Sequence, residues 1–295
     1  MTLVSTGILL YGPPGTGKSL LAAAAATHTG SAFVKIDSAD VISKWQGESE
    51  TRIKALFARA RASAPCIIFI DEVDSLFTAR SSEDTESTRR IKTQFLVEMN
   101  GARGVLVLAA TNRPEEIDAA FRRRLQTRIH IALPECDARV GVIYKSLRGV
   151  EHDLGEEDFQ RLGEQTEGYS GADVSELVRV ALMHPITCMV EAGWLYFTRD
   201  GGGLHPHLDT PPCARCPMNL SSDPLHERSV ADRTCAHCGS LFADLLGEET
   251  TNGVRAPRAT RDDFDKALLV VKPSVSAADA ERMLQWTREF GKGGG

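Results

Sequence analysis

The chain has 295 residues, of which 42% are hydrophobic and 25% charged, and its formal net charge is −6. This composition is ordinary for a globular protein with room for two domains, and the negative charge argues against general nucleic-acid binding, which needs a basic face. No run of about 18 apolar residues occurs and the opening residues lack a signal-peptide pattern, so we expect an intracellular protein without a transmembrane helix.

The first predicted strand, at residues 8–11, runs directly into a glycine-rich segment. Residues 12–19 fit the phosphate-binding pattern G-x-x-x-x-G-K-[ST], and a helix is predicted to begin at Lys18. Glycines let backbone N–H groups point at phosphate oxygens, and the helix N-terminus adds positive charge. The pattern predicts a nucleoside triphosphate site in which Lys18 contacts the phosphates and Ser19 holds Mg²⁺; a plain glycine-rich turn is the alternative. The predicted cofactor-binding residues here are Gly12, Pro13, Pro14, Gly15, Thr16, Gly17, Lys18, Ser19 and Leu20.

Two more buried strands end in polar residues suited to ATP hydrolysis. The apolar run at residues 67–70 ends in Asp71 and Glu72. In P-loop enzymes an acid at this position holds Mg²⁺, so we assign Asp71 to the metal and Glu72 to polarising the attacking water. The run at residues 105–110 leads to Asn112, whose uncharged amide can orient water against the γ-phosphate. For Asp71 and Glu72, the alternative is a solvated acidic strand end.

Three consecutive arginines follow a helix-like stretch and precede a predicted strand at residues 128–132. They are Arg122, Arg123 and Arg124. Phosphoryl transfer spreads negative charge over the γ-phosphate oxygens, and an arginine supplied by a neighbouring subunit stabilises that charge. The alternative is that the three arginines form a solvated basic turn.

The predicted elements give an α/β fold. Strands at 8–11, 33–37, 67–70, 105–110 and 128–132 alternate with helices, which is typical of a parallel sheet covered on both faces. From about residue 135 the prediction is helical, at 137–148, 156–166, 171–192, 261–269 and 277–290. We therefore predict a large α/β P-loop domain at 1–134 and a small helical domain at 135–295, with a cysteine-rich insert at 204–249.

The insert has the spacing of a structural zinc site. Cys213 and Cys216 form one C-x-x-C pair, and Cys235 and Cys238 form another, with eighteen residues between the pairs. Two such pairs complete a tetrahedral shell, and the metal would supply folding free energy to a polar segment. Unligated cysteines and disulfides are the alternatives. His226 and His237 could replace a cysteine as a zinc ligand.

Several motifs together resemble one protein family. The segments GPPGTGKS, SKWQGESE, IIFIDEVDSL, GVLVLAATNRP, FRRRL and EGYSGADV occur in the order found in the meiotic clade of the AAA ATPases. Within that clade the chain is most similar to the vacuolar protein sorting branch. The resemblance covers nearly the whole chain apart from the insert.

The resemblance implies roles for residues that spacing alone does not assign. It implies that Arg123 and Arg124 act as arginine fingers on the nucleotide of a neighbouring subunit. It also implies that Asn112 senses the γ-phosphate. Gly171 and Ala172 then belong to a segment that closes over the adenine. The first pore loop, which grips a threaded polypeptide, comprises Lys44, Trp45 and Gln46; the alternative for Trp45 is packing against its own domain.

The family resemblance also implies a biological setting. It implies a hexamer that disassembles ESCRT-III filaments in endosomal sorting, multivesicular-body formation and vacuole organisation. The protein would be cytoplasmic and recruited to endosome membranes only through partners, and an activating cofactor protein would dock at the insert. Family members carry an N-terminal recruitment domain that this sequence lacks, so we expect a fragment or recruitment by another component. A microtubule-severing ATPase and an ATP-binding scaffold without turnover are the alternatives.

Overall fold

The computed structural model describes residues 7–37, 49–78, 86–100, 103–191, 194–197, 204–207, 228–229 and 258–291. These residues form two compact units. The first takes its described residues from 1–135, 167–173 and 273–295, and the second from 136–166 and 174–272. Two short segments from the carboxyl-terminal half therefore belong to the first unit. The predicted domain boundary after residue 134 stays a prediction.

Five strands build the sheet of the first unit. They are β1 (Gly7–Tyr11), β2 (Ala32–Asp37), β3 (Cys66–Asp71), β4 (Val105–Thr111) and β5 (Thr127–His130). Their order across the sheet is β2-β3-β4-β1-β5, and every neighbouring pair is parallel. The predicted α/β class with a parallel sheet is confirmed.

The helices of the described residues follow the predicted pattern closely. In chain order they are α1 (Lys18–Thr29), α2 (Ser49–Ala62), α3 (Val73–Phe77), α4 (Glu86–Asn100), α5 (Ala119–Arg124), α6 (Cys136–Ser146), α7 (Glu156–Gln165), α8 (Gly171–Glu191), α9 (Arg261–Val270) and α10 (Ala277–Phe290). A single 3₁₀ turn, Pro114–Glu116, precedes α5. Within the described ranges, no helix has both the length and the apolar character that crossing a membrane requires.

Apolar side chains cover both faces of the sheet. Successive side chains of a strand point to opposite faces, so one strand feeds two cores. In β3, Ile68 and Ile70 join the larger core, which also holds Phe57 and Phe95, while Phe69 belongs to the smaller core beside Ala22 of α1. Burial on both faces explains why β3 reads as an unbroken apolar run.

The helix α10 packs against this larger core. Ser276 Oγ accepts a hydrogen bond from the backbone N–H of Asp279, which caps the first turn. Met283 and Trp286 are buried on one face of the helix, and Phe290 packs beside them. The apolar face of α10 therefore contributes to core packing.

The second unit is mostly helical, with a few short strands. The buried guanidinium of Arg139 on α6 donates to the Gly163 carbonyl at 2.7 Å, which ties α6 to α7. Three strands that the sequence did not predict form an antiparallel sheet: β6 (Trp194–Phe197), β7 (Leu204–His207) and β8 (Arg228–Ser229).

Candidate active site

The sheet topology brings the predicted catalytic segments to one edge. All five strands run in the same direction, so their carboxyl ends share that edge, where ligands bind in open α/β sheets. Strand β1 lies between β4 and β5, and β3 lies on the far side of β4. The glycine-rich loop after β1 is therefore flanked by Asn112 after β4, with Asp71 and Glu72 at the end of β3 beyond it.

Two positions of the glycine-rich loop admit no other residue type. Gly12 has φ +153°, and a Cβ there would lie 2.1 Å from the Ile131 carbonyl oxygen. Gly15 has φ +74°, and a Cβ there would lie 2.5 Å from the Ser170 hydroxyl oxygen. A side chain at either position would force the backbone to move, so the glycines keep the loop tightly folded against its neighbours.

Lys18 is held inside the loop that precedes it. Its ammonium group donates to the carbonyl oxygens of Gly12 at 2.9 Å and Pro13 at 2.7 Å, and the residue is only 8% exposed. Burial lowers the pKa of Lys18 to about 8, although the carboxylates of Asp71 and Asp74 act in the opposite direction. The loop therefore carries a concentrated positive charge that an incoming phosphate would stabilise.

Ser19 and Asp71 present the oxygen atoms that a divalent cation needs. The Ser19 hydroxyl donates to Asp71 Oδ2 at 2.7 Å, and Lys35 lies 3.4 Å from the same carboxylate oxygen. Hydroxyl and carboxylate oxygens are hard ligands, which Mg²⁺ prefers, and Mg²⁺ keeps several waters and phosphate oxygens besides. The two side chains together fit the predicted magnesium site.

Glu72 occupies an unusual backbone conformation. Its φ of 49° makes it the one non-glycine residue with positive φ in the described part of the chain. It stands immediately before α3, and its carbonyl oxygen accepts from the Ser75 backbone N–H at 3.0 Å and hydroxyl at 2.9 Å. Left-handed backbone at a non-glycine residue persists where surrounding contacts enforce it, commonly at functional sites.

Asn112, directly after β4, offers a buried acceptor. Its side-chain Oδ1 has no hydrogen-bond partner among the described residues. The preceding hydroxyl, of Thr111, donates to Asp74 Oδ1 at 2.6 Å and accepts from the Arg113 backbone N–H at 2.9 Å. This pair fixes the end of β4 against α3. Sequence reasoning missed Thr111 and Asp74, although an acid three residues after Asp71 was a visible signal.

The segment predicted to close over adenine touches the glycine-rich loop. The backbone N–H of Ala172 donates to the Gly15 carbonyl at 3.2 Å, next to Gly171 at the start of α8. Asp173 holds this turn in place: burial acts to raise its pKa, but hydrogen bonds from Ser170 and Ser274 outweigh that and lower it. The carboxylate therefore stays charged and anchors the turn.

The two predicted arginine fingers lie on α5. Asp118 caps the helix by accepting from two backbone N–H groups of its first turn. Arg123 is exposed, whereas Arg124 is partly buried and donates weakly to the Ala120 carbonyl at 3.4 Å. The remaining predicted site residues lie outside the described residues; they are Lys44, Trp45 and Gln46 of the pore loop and Cys213, Cys216, Cys235 and Cys238 of the zinc site.

Comparison with known families divides the chain into three matched regions. Residues 8–133 match the ATPase family associated with various cellular activities (AAA). Residues 156–191 match the AAA+ lid domain. Residues 248–291 match the Vps4 C terminal oligomerisation domain. The first region contains every residue that the geometry gathers at the sheet edge except Gly171 and Ala172.

Curated relatives and solved structures agree with these matches. Vacuolar protein sorting-associated protein 4 of Dictyostelium discoideum is 40% identical over 98% of the chain, and protein 4B of Mus musculus is 42% identical over the same share. The chain spans 62% of the length of both relatives.

The ADP complex of the FIGL-1 AAA domain is 34% identical, with a TM-score of 0.70, and the match covers 98% of this chain and 80% of that one. A structure described as the basis for katanin self-assembly is 33% identical, with a TM-score of 0.66, and the match covers 96% of this chain and 78% of that one. With the phosphate loop, the acidic strand end and the buried asparagine in their expected order, the chain belongs to the AAA ATPase family.

Proposed function

We propose that this chain hydrolyses ATP to ADP and phosphate and uses the free energy to disassemble protein polymers. The observation that carries the proposal is the shared sheet edge, where the Lys18 cation, the Ser19–Asp71 oxygen pair, Glu72 and the Asn112 amide converge. The family membership and the FIGL-1 complex with ADP support a nucleotide at this edge.

Each side chain has a distinct task in hydrolysis. Lys18 and the backbone N–H groups of the loop bind the phosphates and balance their charge. Ser19 and Asp71 would hold Mg²⁺, which when bound would neutralise charge on the phosphate oxygens. The Glu72 carboxylate accepts a proton from the attacking water, and Asn112 donates its amide N–H to orient that water or the γ-phosphate.

The site is completed by a second copy of the chain. Arg123 and Arg124 on α5 supply positive charge to the nucleotide of a neighbouring subunit, which stabilises the transition state of phosphoryl transfer. Residues 248–291, which match an oligomerisation domain, support self-association, and we assign the assembly as a hexameric ring.

The proposed substrate is a subunit of an ESCRT-III filament, drawn through the pore of the ring. Lys44, Trp45 and Gln46 would grip the polypeptide, because an aromatic side chain holds varied sequences through apolar contact and stacking. Identities of 40–42% to vacuolar protein sorting relatives over nearly the whole chain support this substrate. The protein would then act in the cytoplasm at endosome membranes, with a cofactor protein docking at the insert.

Microtubule severing is the second candidate. The katanin structure and the FIGL-1 domain support it, since both resemble this chain at 32–34% identity. The third candidate, an ATP-binding scaffold without turnover, is disfavoured because Glu72, Asn112 and both arginines are present together.

The trans-acting arginines predict that ATP turnover depends on assembly. Turnover per subunit should rise steeply with protein concentration and then saturate, because isolated subunits lack the roughly 10³–10⁵-fold contribution of a finger. Steady-state phosphate release across a dilution series, with sedimentation at each concentration, measures this. The matched control is the double variant Arg123→Ala/Arg124→Ala, which should bind ATP but stay inactive at every concentration. Full turnover by demonstrably monomeric chain would contradict the assignment.

The substrate assignment predicts separate outcomes for Trp45 and Glu72. Wild-type chain with ATP should shorten ESCRT-III filaments and leave microtubules intact, both followed by electron microscopy. Trp45→Ala should hydrolyse ATP yet fail to shorten filaments, because the pore loses its grip. Glu72→Gln should bind ATP and fail at both steps. Filament disassembly by Trp45→Ala at the wild-type rate would remove the pore-loop role, and cut microtubules with intact filaments would favour the severing candidate.

The lowered pKa of Lys18 predicts proton uptake when nucleotide binds. Without nucleotide the pKa is about 8, so at about pH 8.5 most Lys18 side chains are neutral, and the phosphate charge should raise the pKa and protonate them. Binding should therefore take up more than about half a proton at pH 8.5 and close to none at pH 6.5. Calorimetric titrations with non-hydrolysable ATP analogue, in buffers of different ionisation enthalpy, measure the uptake. Lys18→Arg is the control, because its guanidinium stays charged at both pH values.

We also propose structural zinc in the cysteine-rich insert. The purified full chain should contain about one zinc ion, bound by Cys213, Cys216, Cys235 and Cys238. Metal analysis by atomic emission should show that Cys235→Ser loses the ion, while Cys136→Ser, a matched control on α6, keeps it. Metal-free chain isolated under zinc-sufficient conditions would contradict the site.

A further inference from the structure

The helix α5 that carries the proposed fingers is too short to fix its own direction. It has six residues, and a helix of this length is unstable without tertiary contacts. At its first turn the backbone N–H of Asp118 donates to the Phe77 carbonyl at 2.7 Å. The ring of Phe121 stacks on the ring of Phe77, with centroids 3.8 Å apart. These contacts attach the start of α5 to the end of α3.

A separate set of contacts holds the other end of α5. The guanidinium carbon of Arg122 lies 4.4 Å from the centre of the Phe290 ring, which is the geometry of a cation–π interaction. Arg128 bridges the same two residues: Nη1 donates to the Phe290 carbonyl at 2.8 Å and Nη2 to the Arg122 carbonyl at 3.3 Å. The last turn of α5 is therefore tied to the last residue of α10.

The helix α10 is in turn fixed to the strand that leads into the phosphate loop. The Tyr11 hydroxyl donates to Thr287 Oγ1 at 3.0 Å. The Trp286 ring meets the Tyr11 ring edge-on, with centroids 4.5 Å apart. Tyr11 is fully buried and immediately precedes Gly12. The element that holds the end of α5 thus takes its own position from the core beside the nucleotide loop.

We infer that Arg122, Arg128 and Phe290 are positioning residues that hold α5 so that Arg123 and Arg124 reach the nucleotide of the neighbouring subunit. The inference rests on the proposed ATP hydrolysis with fingers acting in trans. The Phe290 ring of one subunit therefore supports ATP hydrolysis in the next subunit, through the arginines that it positions. It leaves hydrolysis in its own subunit unaffected.

Electrostatics make this arrangement necessary. Arg122, Arg123 and Arg124 are consecutive, and Arg128 lies against the first of them, so like charges crowd the end of the helix. Burial, together with the charge of Arg122, lowers the pKa of Arg128. The electron-rich face of Phe290 and two carbonyl oxygens offset that repulsion. Without the ring, Arg122 would move away from its like-charged neighbour and turn the end of α5 with it.

Mixed assemblies separate a finger defect from a defect in the subunit's own site. A donor variant, Glu72→Gln, cannot hydrolyse ATP but offers intact arginines. A receiver variant, Arg123→Ala/Arg124→Ala, has intact hydrolytic residues but offers none. Each should be inactive alone, and mixing should restore phosphate release wherever a receiver site faces a donor finger.

The test places Phe290→Leu in one partner at a time. Leucine keeps apolar packing but lacks the aromatic face. In the donor, the change should lower restored turnover about tenfold, in line with the strength of a partly buried cation–π contact. In the receiver, it should leave restored turnover unchanged, which also shows that the variant folds and assembles. Equal losses in both partners, or no loss in either, would overturn the inference.

Two further variants sharpen the result. Phe290→Tyr in the donor keeps the ring and should restore turnover to the parent level. If Phe290 contributed only to packing, the tyrosine and leucine variants would not differ in the donor alone. Leu284→Ala, on the exposed part of the same helix, is the matched control and should have no effect in either partner. If the parent donor and receiver do not complement at all, the trans-acting fingers themselves are wrong, and the positioning role fails with them.

Discussion

The parallel pairing of β1 between β4 and β5 is the constraint on which the site depends. Tyr11 at the end of β1 is level with Thr111 of β4 and His130 of β5. The chain therefore leaves these strands at one height, which puts the glycine-rich loop directly beside Asn112. A reversed strand, or a register shift of one residue, would send one of these groups to the wrong edge or face. Strand pairing thus does the first part of positioning the catalytic groups.

The buried cation is the energetic counterpart of that geometry. Lys18 has its pKa lowered from 10.5 to about 8 by burial, so at neutral pH the folded chain holds a charge that water would solvate better. Below about pH 8 the full cost of this burial is present, and the stability of the fold rises as pH increases through the interval up to 10.5. A bound phosphate stabilises the charged form of Lys18 and so offsets the cost of burying it. The loop therefore gives up some stability without nucleotide and recovers it when the anion binds.

Local patterns allowed the five strands of the parallel sheet, the phosphate loop and most helices to be predicted. The apolar run of β3 and the Ser276 cap of α10 are encoded within a few neighbouring residues. Contacts between distant segments were not predictable in this way. Nothing adjacent to Glu72 in the chain marks its left-handed backbone, and no spacing rule joins Tyr11 to Thr287, 276 residues away. Met283 and Trp286 recur at helical spacing on α10, but the surface that they cover follows from how the whole sheet is packed.

The packing around α5 joins two parts of the candidate active site to the arginines that we propose act on a neighbouring subunit. Glu72 immediately precedes α3, whose final residue, Phe77, stacks on α5. The opposite end of α5 is tied through α10 to Tyr11, the residue before the phosphate loop. Both routes consist of packed elements within one subunit, so the direction of α5 is set by the same core that supports the phosphate loop.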